Sequence, residues 1–263
     1  WEIKVNLPQK TVCPPFPPTM QALIFSAGLG TRMRRLTTDR PKALVEVSGR
    51  PLIDQVLDNL RQAGVTDAVV NLHHFADRLE AHLRSREAAG IRLRFSDERD
   101  LLRDTGGGLL HAAHLFDPQE PILLCNVDVL SDIDLRALVA AHRASGALAT
   151  LAVQQRESSR QLLFDRELRL VGWTHLGQQA VRWAVPQGAE RPTQKAFSGI
   201  QVISPLLPGL IRQQGVFSLI DVYLDLAASH LIRGYDHTGD RWFDVGSPEK
   251  LLEAEKGWIT PTT

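Results

Sequence analysis

The residues best suited to chemistry lie in the run Ala27-Gly28-Leu29-Gly30-Thr31-Arg32-Met33, followed by Pro41-Lys42-Ala43-Leu44. The run comes directly after Ala22-Leu23-Ile24-Phe25, an apolar segment that reads as a buried first strand. A strand opening into a glycine turn with basic side chains nearby is suited to cradling phosphate. Glycine backbone approaches a phosphate chain closely and tolerates positive φ. Arg32 can fork onto two phosphate oxygens, and Lys42 adds a compact positive charge. Two other phosphate loops are excluded by spacing. A dinucleotide fingerprint needs a third glycine where Met33 stands, and a P-loop needs Gly-Lys-Ser/Thr after four intervening residues.

Two aspartates are placed to face a ligand. Asp128 follows the apolar segment Ile122-Leu123-Leu124-Cys125, and α/β sheets bind ligands beyond the C-terminal ends of their strands. Asp244 ends a strand just before a strong helix start, with Ser247 as N-cap, Pro248 at the first helical position and Glu249 at the positive end of the dipole. Asp132 is expected instead to cap a helix. In Asp104-Thr105-Gly106-Gly107-Gly108, three glycines before a helix form a surface without side chains, against which a flat base can lie. The nine histidines include His73-His74 and the pair His111 and His114, but no His-Glu-x-x-His pattern occurs and no cysteine accompanies them. They are read as packing or surface residues.

These groups need a scaffold, and the apolar pattern supplies one. A helix is expected over 52–63, with Leu52, Val56, Leu57 and Leu60 on one face and Gly64 ending it. Strands are expected at 68–72, 93–96, 122–125 and 149–153, and helices at 75–88, 108–116 and 132–145. Glu157 to Thr193 reads as a small antiparallel excursion forming one wall of the site. A strand over 196–203 and helices over 205–213 and 218–229 follow. The alternation predicts a three-layer α/β fold, a mixed and mainly parallel sheet with helices on both faces. Residues 1–19, containing Pro14-Pro15-Phe16-Pro17-Pro18, are expected to form an extended N-terminal extension, and 20–263 a single domain.

Lys+Arg and Asp+Glu each number 30, so nothing in the net charge calls for nucleic acid or an anionic membrane as a partner. Any positive pocket must be local. Two cysteines, Cys13 and Cys125, make no disulfide framework, and a reducing, cytoplasmic setting is expected.

Gly28-Leu29-Gly30-Thr31-Arg32-Met33-Arg34, with Leu36-Thr37 and Pro41-Lys42, resembles the two-part signature of the nucleotide-sugar pyrophosphorylases, the sugar-1-phosphate nucleotidyltransferases. The similarity is greatest to their short, single-domain members and runs from about Met20 to Trp258. The resemblance implies a Rossmann-like fold and a reaction that joins a nucleoside triphosphate and a sugar 1-phosphate into a nucleotide sugar and pyrophosphate, with UTP favoured and GTP next. It also implies roles. Ala27, Gly28, Gly30 and Thr31 would present backbone to the nucleotide, while Thr105, Gly106 and Gly107 meet the base. Arg32 would grip the departing phosphates and Lys42 neutralise charge at the α-phosphate. Asp128 and Asp244 would hold Mg²⁺, and Gly199 would admit the sugar ring. The chain departs from the family pattern at Arg35 and Ala43, which replace prolines, and at Val127, which replaces a glycine. Two alternatives stay open at this stage: a cytidylyltransferase acting on a phosphorylated alcohol, and a non-catalytic homologue that binds nucleotide sugars.

Overall fold

In the computed structural model, which describes residues 20–33, 36–85, 90–186 and 191–258, most of the apolar runs become strands and the 3.6-period stripes helices. The expected extension at 1–19, together with Arg34 and Arg35, lies outside the described residues. The first half of the chain alternates: β1 (Met20–Phe25), the short pair β2 (Glu46–Val47) and β3 (Arg50–Pro51), α1 (Leu52–Ala63), β4 (Val65–Leu72), α2 (Ala76–Arg84), β5 (Arg92–Asp97), α3 (Asp104–Ala112), β6 (Ile122–Asn126), β7 (Val129–Ser131), α4 (Leu135–Ser145) and β8 (Ala149–Gln154). The second half contains β9 (Arg160–Phe164), β10 (Leu170–His175), β11 (Ala180–Trp183), β12 (Thr193–Ile203), α5 (Leu207–Leu210), α6 (Leu219–Leu226), β13 (Ile232–Asp236), β14 (Trp242–Asp244) and α7 (Pro248–Gly257).

Ten strands form one mixed sheet. Its parallel centre runs β5-β4-β1-β6, and β12 then lies antiparallel to β6. The first residues of β12 pair with β9 and the rest with β8, which β13 extends in parallel. β9, β10 and β11 make the antiparallel excursion expected after Glu157. Side-chain alternation along β1 produces the three layers. Ala22 and Ile24 pack with Ile53 of α1, Leu79 of α2 and Leu138 of α4, whereas Leu23 packs with Leu109 of α3 and Tyr223 of α6. A third cluster joins Met33, Leu52, Leu130, Val245 and Trp258, locking the glycine turn to the β7–β14 ribbon and α7.

The helix over 52–63 forms as expected, and Gly64 closes it at φ 94°, with its N–H bonded to the Arg61 carbonyl. Other boundaries differ from expectation. The cap of α4 is Asp134, whose carboxylate accepts from Ala137 N at 3.0 Å, and Asp132 accepts from Arg241 N and Nε instead. The helix expected over 205–213 shortens to the single turn α5. Among the described residues, no helix is long and apolar enough to cross a membrane.

Candidate active site

The glycine turn leaves β1 at the C-terminal edge of the parallel strands, and its shape is set by a polar residue inside the apolar strand β4. Asn71 Oδ1 accepts from Ser26 N at 2.5 Å and Ala27 N at 3.1 Å, holding the backbone where the turn begins. Asn71 Nδ2 in turn donates to Glu98 Oε1 at 3.0 Å, just beyond β5. Gly30 adopts φ 61°, and its carbonyl accepts from Met33 N and Thr37 Oγ1. Here glycine is required, because L side chains disfavour that φ and a Cβ would lie 3.0 Å from Thr37 Cγ2. Nothing lies within 4 Å of a Cβ position at Gly28, so its backbone is open to a ligand. Glu98 is fully buried, and desolvation raises its carboxyl above the usual range against the opposing bonds from Asn71 and Arg103 N.

The acidic side of the site is built across a long sequence separation. Asp128 occupies the turn between β6 and β7, and Asp244 ends β14, whose last residue pairs with Val129. Val245 N donates to the Asp128 carbonyl at 2.8 Å, tying the two aspartates together. Asp244 thus ends a strand, but one in a separate two-stranded ribbon rather than in the main sheet. Each carboxylate holds an ammonium group: Lys42 Nζ donates to Asp128 Oδ2, and Lys250 Nζ to Asp244 Oδ2. The Arg32 guanidinium and the Asp244 carboxylate both abut Gly246, where a Cβ would sit 2.9 Å from Arg32 Nη2 and 2.6 Å from Asp244 Oδ1.

These groups surround two joined chambers. One, of about 470 Å³, is lined by Ala27, Gly28, Gly30, Thr31, Glu98 and Thr105. The other, of about 770 Å³, is lined by Arg156, Trp173, His175, Gly199, Trp242 and Asp244. Arg32, Asn126 and Asp128 line both and form the shared wall, and Lys42 lines the smaller. Gly199 sits at a register break of β12 with φ 74°, and a Cβ there would meet Asn126 Nδ2 at 2.9 Å.

Gly106 and Gly107 are placed otherwise than expected. They lie within α3 rather than before it, are buried, and do not line the chamber. Their N–H groups donate to the Phe217 carbonyl, and Cβ atoms would meet the Phe217 ring at 2.4 Å and the Gly215 carbonyl at 2.3 Å. Their smallness serves close packing of α3 against the 215–217 segment. Asn71, Glu98, Arg156 and Trp242 belong to no motif that the sequence assigns to the ligand. Asn71 carried a usable signal, as an amide inside the apolar run Val69-Val70-Asn71-Leu72. The others acquire a role only through contacts distant in sequence.

The donor set suits a magnesium ion. Asp128 and Asp244 present hard carboxylate oxygens to one cavity, and each already attracts a cationic group. Among the described residues no group of three or more His, Cys, Asp or Glu converges, so substrate and water would have to supply the remaining ligands, as Mg²⁺ commonly requires.

Comparison with known proteins bears on the family and the fold. An N-acetylmuramate alpha-1-phosphate uridylyltransferase of Caulobacter vibrioides is 37% identical over 242 residues, covering 89% of this chain and 95% of the relative. The enzyme of the same name from Neisseria meningitidis is 32% identical, covering 90% and 97%. A putative glucose-1-phosphate thymidylyltransferase from Bacillus anthracis shares the fold at a TM-score of 0.77 with 16% identity, covering 93% of this chain and 98% of its own. The sequence pattern of the nucleotidyl transferase family matches residues 21–162, the stretch that carries the glycine turn, Lys42, Glu98 and Asp128. With that match and these relatives, the chain belongs to the nucleotidyl transferase family.

Proposed function

We propose that the protein transfers a uridylyl group from UTP to an N-acetylmuramate-type sugar 1-phosphate, releasing pyrophosphate. The observation that carries this reading is the pair of chambers meeting at Arg32 and Asp128, one opening on the glycine turn and the other on the antiparallel wall. A reaction between two phosphorylated substrates needs such a junction. Support for UTP and for the muramyl acceptor comes from the two relatives that match nearly end to end. A mannose-1-phosphate guanyltransferase of Debaryomyces hansenii, by contrast, is 28% identical, and the match spans 65% of its length.

The nucleotide occupies the smaller chamber, its phosphates against the backbone of Gly28 and Gly30. A phosphate oxygen of the sugar 1-phosphate attacks the α-phosphorus in line as pyrophosphate leaves. The nucleophile is already an anion, so no general base is required. Arg32 binds the departing phosphates through its planar fork, and Lys42, held in place by Asp128, offers its charge to the α-phosphate. Asp128 and Asp244 are the residues that would hold Mg²⁺, which when bound supplies charge neutralisation at the phosphates. Asn71 acts indirectly by fixing the turn backbone through Ser26 and Ala27. Alignment and fixed charge therefore carry the catalysis.

A panel of nucleoside triphosphates crossed with sugar 1-phosphates and phosphorylated alcohols, read as pyrophosphate release, tests this assignment. UTP with N-acetylmuramate 1-phosphate should give the highest kcat/KM. Preference for CTP with a phosphorylated alcohol, or no release with any pair, would overturn it.

A further inference from the structure

The larger chamber contains a cation that the proposed phosphate chemistry does not use. Arg156 lies just past β8, and its guanidinium carbon sits 3.6 Å from the centre of the Trp242 ring. Arg156 Nη2 donates to the Phe197 carbonyl at 2.7 Å, while Nε is buried with no partner. Trp242 is itself fixed, since its Nε1 donates to the Ser198 carbonyl at 2.8 Å. Stacking and this single bond hold the plane of the fork and leave its Nη1 side without a partner among the described residues.

Two cations of the site are already matched. Lys42 is paired with Asp128 and Lys250 with Asp244. Arg156 makes no ion pair among the described residues, and the carboxylate whose field favours its charge, Asp244, is the one that holds Lys250. Burial pushes its guanidinium below the ordinary value. A half-buried, rigid and unpaired guanidinium is costly unless an anion completes it. The acceptor's phosphate is not that anion. It must reach the shared wall at Arg32 and Asp128, whereas Arg156 lines the larger chamber alone.

We infer that Arg156 is a specificity-determining residue that binds a second anionic group on the acceptor, the carboxylate of an acidic sugar, and so separates acidic from neutral sugar 1-phosphates. This assignment rests on the proposed reaction. A muramyl sugar carries such a carboxylate on its lactyl ether, and N-acetylglucosamine 1-phosphate is the same ring without it.

The experiment measures kcat/KM for both acceptors with UTP, using the full chain and its Arg156→Met and Arg156→Lys variants. The unaltered protein should favour the carboxylate-bearing acceptor. Arg156→Met should reduce that selectivity ratio by about 10- to 100-fold, chiefly through KM, as expected for loss of a charged hydrogen bond. Arg156→Lys should restore part of it. A parallel fall for both acceptors, or an unchanged ratio, would overturn the assignment, because a merely structural role would affect both sugars alike.

The methyl ester of the lactyl carboxylate makes the same comparison on the unaltered protein, so it survives a variant that fails to fold. Use of the ester as well as the acid would also overturn the proposal. Should neither acceptor release pyrophosphate, the proposed reaction fails, and calorimetric binding of N-acetylmuramic acid against N-acetylglucosamine decides the site by itself. Tighter binding of the acid, lost in Arg156→Met, supports it, and equal binding refutes it.

Discussion

Replacing Gly246 with alanine tests whether the closeness of Arg32 and Asp244 matters to catalysis. The added Cβ would lie 2.6 Å from Asp244 Oδ1 and 2.9 Å from Arg32 Nη2. An unstrained carbon–oxygen contact is about 3.4 Å, so the carboxylate would have to recede by about 0.8 Å. Both obstructing atoms are the ends of side chains, and Gly246 is not among the positive-φ residues, so the backbone tolerates alanine. The fold should therefore lose less than about 1 kcal/mol. Catalysis should suffer more, because a misplacement of about 1 Å in a catalytic group costs on the order of 10²-fold in rate.

Gly107→Ala gives the opposite pattern. Its Cβ would lie 2.3 Å from the backbone carbonyl of Gly215, which cannot swing aside. Overpacking of about 1–3 kcal/mol then outweighs the roughly 1 kcal/mol that alanine gains in a helix. Urea titration and pyrophosphate release on both variants separate the two effects. Full turnover in Gly246→Ala would refute a catalytic role for the Arg32–Asp244 juxtaposition, and a loss of stability matching that of Gly107→Ala would trace the damage to the fold.

Lys42→Ala should lower kcat by about 10²–10³-fold while the protein stays folded, as for loss of one fixed charge at the transition state. In the part-buried Lys42–Asp128 pair, Asp128 is then left without its ammonium, so steady-state rates should be read beside a melting curve. Asp128→Asn and Asp244→Asn should each raise the Mg²⁺ concentration needed for half-maximal rate, and a chelator should abolish turnover without unfolding the chain. His142 is buried in α4 against Thr150 Oγ1, and burial pushes it down to about 4 from an ordinary 6.5. The unfolded chain therefore binds that proton first as pH falls. The contribution of this group should be complete above about pH 6.5 and decline toward pH 4 by about 3 kcal/mol. Urea midpoints across that range, compared with His142→Leu, should show the slope reduced in the variant.

The parts of this fold that follow local rules can be read from the sequence, and the parts that depend on distant partners cannot. Helix α1 has an apolar stripe and a closing glycine, and both act within four residues. Helix α3 breaks the local rule. Three glycines lower helix propensity and predict a later start, but the 215–217 segment packs so closely that only glycine fits at 106 and 107. Asp132 is the cap that the sequence suggests, but Arg241, 109 positions away, claims it, and Asp134 caps α4 instead. The same limit applies at the site. The glycine turn, Asp128 and Asp244 announce themselves through neighbouring residues. Glu98 and Arg156 depend on Asn71, Phe197 and Trp242, contacts that exist only once the sheet has formed.

The central claim is a single in-line displacement between two substrates that meet at Arg32 and Asp128. Its most direct test uses UTP carrying sulfur at the α-phosphorus in one configuration, with N-acetylmuramate 1-phosphate as acceptor, and follows the configuration of the sugar nucleotide formed. Inversion, with one pyrophosphate released per nucleotide sugar, is the predicted result. Retention would require two displacements through a covalent enzyme intermediate and would contradict the account.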